Sequence, residues 1–221
     1  MRILTLFFLF NQFIIFGQTE SKNAFELYFQ PDLTGVFARK YPTGGKDIVN
    51  KKPGVSVGFS YNRKMSEKVF FRIGIGYGFK NCFSKQTGFI FGSDIDPQQG
   101  VISESRIESK IQFQEIQLPV SFQFKILNNF YFNVGLELSK AFADNSTRTL
   151  IYGNGDMEKL SSTNVLLFNG APTLSVSYKI PLKNQTFLNI EPYYKLYARP
   201  YLFNDVGMYN FGLRLGFGII K

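Results

Sequence analysis

Tyr209-Asn210-Phe211-Gly212-Leu213-Arg214-Leu215-Gly216-Phe217-Gly218-Ile219 alternates without a break. Tyr209, Phe211, Leu213, Leu215, Phe217 and Ile219 are large and apolar, and the residues between them are small or polar. Successive side chains of a strand point to opposite faces, so this stretch reads as a β-strand with one greasy face and one narrow face. Its single charge, Arg214, falls on the narrow face.

Working outward, the same period of two returns in seven further segments: Phe25–Phe37, Gly54–Arg63, Val69–Phe79, Ile116–Ile126, Phe130–Leu138, Phe168–Ile180 and Leu188–Leu196. The fourth extends upstream through Ile111 and Phe113, and Pro31 marks an expected bulge in the first. Connectors alternate in length. Those at 38–53, 80–110, 140–163 and 198–207 are long, whereas Lys64–Lys68, Leu127–Asn129 and Pro181–Thr186 are tight. Long loops at one end and short turns at the other are the layout of a membrane barrel, and an even strand number puts both termini at the turn end.

Alternation alone does not say which face looks inward. A soluble barrel would turn its apolar face in and its polar face to water. The apolar faces here carry more Phe, Tyr, Leu and Ile than an eight-stranded interior can hold. The opposite faces are rich in Gly and Ser (Gly58, Ser60, Gly74, Gly76, Gly78, Gly135, Ser175, Ser177), which suits a narrow lumen. The mid-strand apolar faces lack Asp, Glu, Lys and Arg, as a lipid-facing surface requires. Aromatics gather near the strand ends as two girdles: Tyr61, Phe71, Phe124, Phe130, Tyr178 and Phe217 at the turn end; Phe37, Tyr77, Phe79, Phe113 and Tyr209 at the loop end. The expected fold is all-β: an eight-stranded antiparallel up-and-down transmembrane β-barrel with a side-chain-filled lumen.

The N-terminus carries Arg2, an apolar run from Ile3 to Phe16, the small Gly17 and then Gln18-Thr19-Glu20. This is the pattern of a cleavable signal peptide over residues 1–17, with the barrel domain at 18–221. Export and strands together imply an outer membrane, with both termini periplasmic and the long loops extracellular.

Charge on the inward faces is the main chemical content. Glu26, Asp32, Arg72, Glu115, Glu137, Glu191, Lys195 and Arg214 all fall there. Counting from the turns places Arg72, Glu137, Glu191 and Arg214 near mid-depth, with Glu191 and Lys195 in reach of Arg214. A narrow lumen must pair such charges, because isolated buried charge is very costly. They form the candidate interior polar network, with a structural role; a proton or ion path is the functional alternative.

The chain has no His and one Cys among 221 residues. Absence of His removes Ser–His–Asp and Cys–His arrangements, and one Cys excludes an internal disulfide. No catalytic, cofactor or metal site is read. Asp94 and Asp96 lie in a polar loop, with a weak calcium site the alternative. Pro42-Thr43-Gly44-Gly45-Lys46 lacks phosphate-loop spacing and reads as a turn. The net charge is +9, but the positive residues scatter over strand ends and loops, which excludes a nucleic-acid face. Arg63, Lys64, Lys68, Lys125, Lys179, Lys183 and Lys221 crowd the turn-end rim with Glu67, where outer-membrane lipid headgroups would lie. Arg39, Lys40, Lys46, Lys51 and Lys52 on the first long loop are solvated or meet lipopolysaccharide.

Three stretches carry a family resemblance: Ile73-Gly74-Ile75-Gly76-Tyr77-Gly78-Phe79-Lys80, Glu115-Ile116-Gln117-Leu118-Pro119-Val120 followed by Phe124-Lys125, and Asn210 to Phe217. With them the chain resembles the small outer-membrane β-barrel domain proteins, including the PorT-like group and the OmpA/OmpX-type eight-stranded barrels. Asn210 to Phe217 resembles a barrel assembly signal, although the chain continues through Gly218-Ile219-Ile220-Lys221. The resemblance implies a non-enzymatic barrel with a structural or partner-binding role, accessory to a secretion or envelope-assembly complex. Two alternatives stay open: a small porin-like transport pore, and a lipid- or surface-modifying enzyme.

Overall fold

A computed structural model describes residues 23–37, 46–89, 105–161, 168–197 and 208–221. The segment read as a signal peptide (1–17), the stretch with Asp94 and Asp96, and Arg39–Lys40 lie outside these residues. The strands are β1 (Asn23–Val36), β2 (Lys46–Lys64), β3 (Val69–Phe89), β4 (Ser105–Leu127), β5 (Phe130–Asp144), β6 (Thr147–Ile151), β7 (Met157–Ser161), β8 (Asn169–Pro181), β9 (Thr186–Leu196) and β10 (Met208–Ile220). Eight of them close in the order β3-β2-β1-β10-β9-β8-β5-β4, with β4 returning to β3. Every pairing is antiparallel, and chain ends meet where Leu27 faces Phe217. Closure leaves the eight staves without a free edge, which a lipid-immersed sheet requires.

The alternation places side chains as chemistry demands. On β9, exposed Leu188, Ile190, Tyr194 and Leu196 interleave with buried Asn189, Glu191, Tyr193 and Lys195. Around the wall, Leu27 is 65% exposed, Ile75 58% and Leu174 51%. Such a continuous apolar belt far exceeds the patches a water-soluble surface tolerates, so the belt meets lipid. Its borders are aromatic. Phe130 lies 4.5 Å from Tyr178 and Phe25 5.3 Å from Tyr61 at the turn end; Phe37 lies 5.1 Å from Tyr209 at the loop end.

Tight turns follow local backbone chemistry. Asn129 adopts φ 68° between β4 and β5, and Asn184 adopts φ 59° between β8 and β9; asparagine tolerates this left-handed region well. Between β2 and β3, the Ser66 hydroxyl accepts from the Val69 amide at 3.2 Å.

The eight-stranded antiparallel barrel is the one expected, and four details differ. Among the described residues β6 and β7, inside the connector expected at 140–163, form a hairpin paired to the outer half of β4. Much of the expected long connectors is strand, since β2 begins at Lys46, β3 runs to Phe89 and β4 starts at Ser105. Beyond the lipid a strand needs no apolar face, so the ladder continues where the hydrophobic alternation stops. Pro31 makes no bulge; the β1 register is unchanged across it, and the irregularity sits in β2 between Lys51 and Val55, around Pro53. Phe113 is no girdle residue: it shares the parity of buried Glu115 and Gln117, points inward and is 2% exposed.

Candidate functional site: the charged lumen

Inward parity brings charge from every part of the wall into one column. Among the described residues, five carboxylates (Glu26, Asp32, Glu115, Glu137, Glu191) and five cations (Arg72, Lys80, Lys179, Lys195, Arg214) face the lumen. The signs balance, as a poorly hydrated interior requires.

The layer nearer the turn end joins seven strands. Arg72 Nη1 donates to Glu191 Oε2 at 2.8 Å, and Arg72 Nε donates to Asn62 Oδ1 at 3.2 Å. Glu191 Oε1 accepts from Ser175 at 2.6 Å and from Asn133 at 3.2 Å. Arg214 Nε donates to Glu26 Oε1 at 3.1 Å and Arg214 Nη2 to the Ser60 hydroxyl at 2.8 Å. Its guanidinium stacks 3.7 Å from the Tyr28 ring centroid. Tyr28 fits only because the wall beside it is glycine: a Cβ at Gly76 would stand 2.5 Å from its hydroxyl.

Above it, Lys195 Nζ donates to Glu137 Oε2 at 2.6 Å and lies 4.9 Å from the Tyr193 ring centroid. Higher still, Lys80 pairs with Asp32 and donates to the Ser56 hydroxyl at 3.1 Å. Tyr193 donates to the same Asp32 at 3.1 Å, while Gln117 donates to Glu115 at 2.7 Å and Tyr197 to Glu115 at 3.3 Å. At the turn end, Lys179 donates to Gln123 at 3.1 Å with its ammonium 4.5 Å from the Tyr131 ring centroid.

The interior space left beside Arg72, Glu137, Glu191, Lys195 and Arg214 is a cavity of about 30 Å³. That is room for a water or two, far from the open lumen of a porin.

All four sequence-predicted residues lie in this column. Arg72 and Glu191 are direct partners, but Glu137 pairs with Lys195, and Arg214 turns to Glu26 across the β1–β10 seam. The expected link from Glu191 to Arg214 is not a hydrogen bond, although the two are register neighbours. Lys80 and Lys179 were missed. Strand counting leaves Lys80 in the 80–110 connector and Lys179 at the rim, yet each shares parity with the inward residue two positions before it. That parity was the usable signal. Cys82 lies within β3, in the stretch assigned to the 80–110 connector, and is fully buried. Among the described residues no group of three or more His, Cys, Asp or Glu could hold a metal ion.

Comparisons place this architecture. The attachment invasion locus protein Ail of Yersinia pestis superposes with TM-score 0.43 at 12% identity, over 90% of this chain and 99% of Ail. OprG of Pseudomonas aeruginosa does so with TM-score 0.42 at 13% identity, over 93% and 98%. The outer membrane protease OmpT of Escherichia coli reaches TM-score 0.35 at 9% identity, over 92% and 98%. No curated protein matches the chain by sequence. The profile of the family described as outer membrane protein beta-barrel domain matches residues 33–219. The chain belongs to that outer-membrane β-barrel family.

Proposed function

We propose that this chain is a non-enzymatic barrel that keeps its lumen shut and acts through its loop-end surface as a partner-binding protein of the outer membrane. On this reading the turn end and both termini are periplasmic, and β6 and β7 stand outside the cell. The observation that carries it is the pairing of the hairpin. β6 pairs with β4 on one side and β7 on the other, whereas β7 pairs only with β6 among the described residues. Its outer edge therefore offers backbone donors and acceptors to an incoming strand. The plugged lumen supports the same reading, because a chain that passes no solute must work through its surface.

The narrower role, accessory to a secretion or envelope-assembly complex, rests on the resemblance of β3 and β4 to the PorT-like group. A lipid role draws support from Lys51, whose ammonium lies 5.1 Å from the Phe211 ring centroid on the outer wall, a position suited to lipopolysaccharide phosphates. A photo-crosslinker at Glu158 or Lys159 in native outer membranes tests the reading. A discrete protein adduct, lost when β7 carries a proline, is expected. Adducts to lipid alone, with no protein captured, would contradict it.

A further inference from the structure

The turn-end mouth holds a pocket that the plugged lumen does not use. It is a cavity of about 260 Å³, framed by Lys64, Lys125 and Lys179, with Phe70, Tyr131 and Phe187 as its apolar lining. This lies just below the roughly 300–1,000 Å³ of ordinary ligand clefts, which suits a single-ring molecule. Glu67 is the one acid among its lining residues.

One buried donor of its lining lacks an acceptor. Asn62, 2% exposed, lines the pocket; its Oδ1 is taken by Arg72, while its Nδ2 has no partner among the described residues. Behind the lining, Gln123 accepts from Lys179 through Oε1. Lys179 sits amid the rings of Tyr131, Phe70 and Phe187, at 4.5, 5.4 and 5.4 Å. None of the ion pairs formed among the described residues includes it. A buried donor left without an acceptor carries its full desolvation penalty, and an incoming anion would supply the missing acceptor.

We propose that the turn-end mouth binds a small organic anion, its carboxylate or phosphate held by Asn62, Lys64, Lys125 and Lys179 and its apolar body against Tyr131 and Phe187. The site does not depend on the surface role above. A titration of the full chain in neutral-lipid nanodiscs with phenyl phosphate, followed by NMR of the Asn62 side-chain amide and the Tyr131 ring, tests it. Saturable 1:1 binding is expected, at least about tenfold weaker for K64Q/K125Q, whose changes fall at turn-end residues and whose folding is checked by heat-dependent gel migration. Benzyl alcohol should leave the Asn62 amide unmoved, and inorganic phosphate should bind more weakly than phenyl phosphate. Unchanged affinity in the folded K64Q/K125Q protein would overturn the proposal, as would equal binding of benzyl alcohol or of inorganic phosphate. Nanodiscs containing phosphatidylglycerol separate a lipid source: if that lipid alone shifts the Asn62 amide and blocks phenyl phosphate, the site is a headgroup contact and the proposal fails.

Discussion

Arg214 is the interior side chain that holds the closing seam. It bonds Glu26 and Ser60 and stacks on Tyr28, tying β10 to β1 and β2 across the seam that closes the chain. Arg214→Ala leaves Glu26 buried without its cation, and breaking a buried pair from one side costs about 3–5 kcal/mol. Urea unfolding in vesicles should show a loss of that size. Arg214→Met combined with Glu26→Leu should recover much of it, since apolar replacement of a whole pair is often neutral. Cys82 gives a second residue-scale prediction. It is fully buried within β3, where a reagent or hydroxide reaches the thiol only if the strand opens. The thiolate is the reactive form, so the folded protein at pH 8 should resist maleimide, while urea-unfolded chain labels fully.

At the scale of elements, staves and hairpin should respond differently to change. Ile75, 58% exposed in the middle of β3, faces lipid, so Ile75→Lys should cost about 2–4 kcal/mol in vesicle unfolding. The hairpin β6–β7 touches the barrel through β4 alone among the strand pairings, and β4 keeps β3 and β5 as neighbours without it. Replacing residues 147–161 by a short Gly-Ser loop should leave heat-dependent gel migration intact while abolishing crosslinks from that region. These contrasts also explain what the sequence revealed. The staves were legible because lipid demands an apolar residue at every second position, as in Leu213-Arg214-Leu215. The hairpin was not, because Thr147–Ile151 and Met157–Ser161 carry no apolar residue at every second position. Lys80 is hidden for the same reason: the unbroken apolar alternation stops at Phe79, with Asn81 next on that face, though the backbone pairing continues to Phe89.

For the whole molecule, the interior charges and the closed wall support one another. A closed eight-stranded wall leaves space only for side chains, and balanced charge lets that space hold eight ionisable groups paired as Arg72–Glu191, Arg214–Glu26, Lys195–Glu137 and Lys80–Asp32. The locations of Arg72, Glu137, Glu191 and Arg214 followed from counting along strands. Their partners did not, because pairing across a lumen depends on which stave each long side chain leans toward, and strand counting does not encode that. The sealed lumen is the claim on which the surface role stands. It is tested most directly by single-channel recording of the pure full chain in a planar bilayer. A flat baseline without stable conductance steps is predicted; reproducible ion steps from the pure folded protein would contradict it.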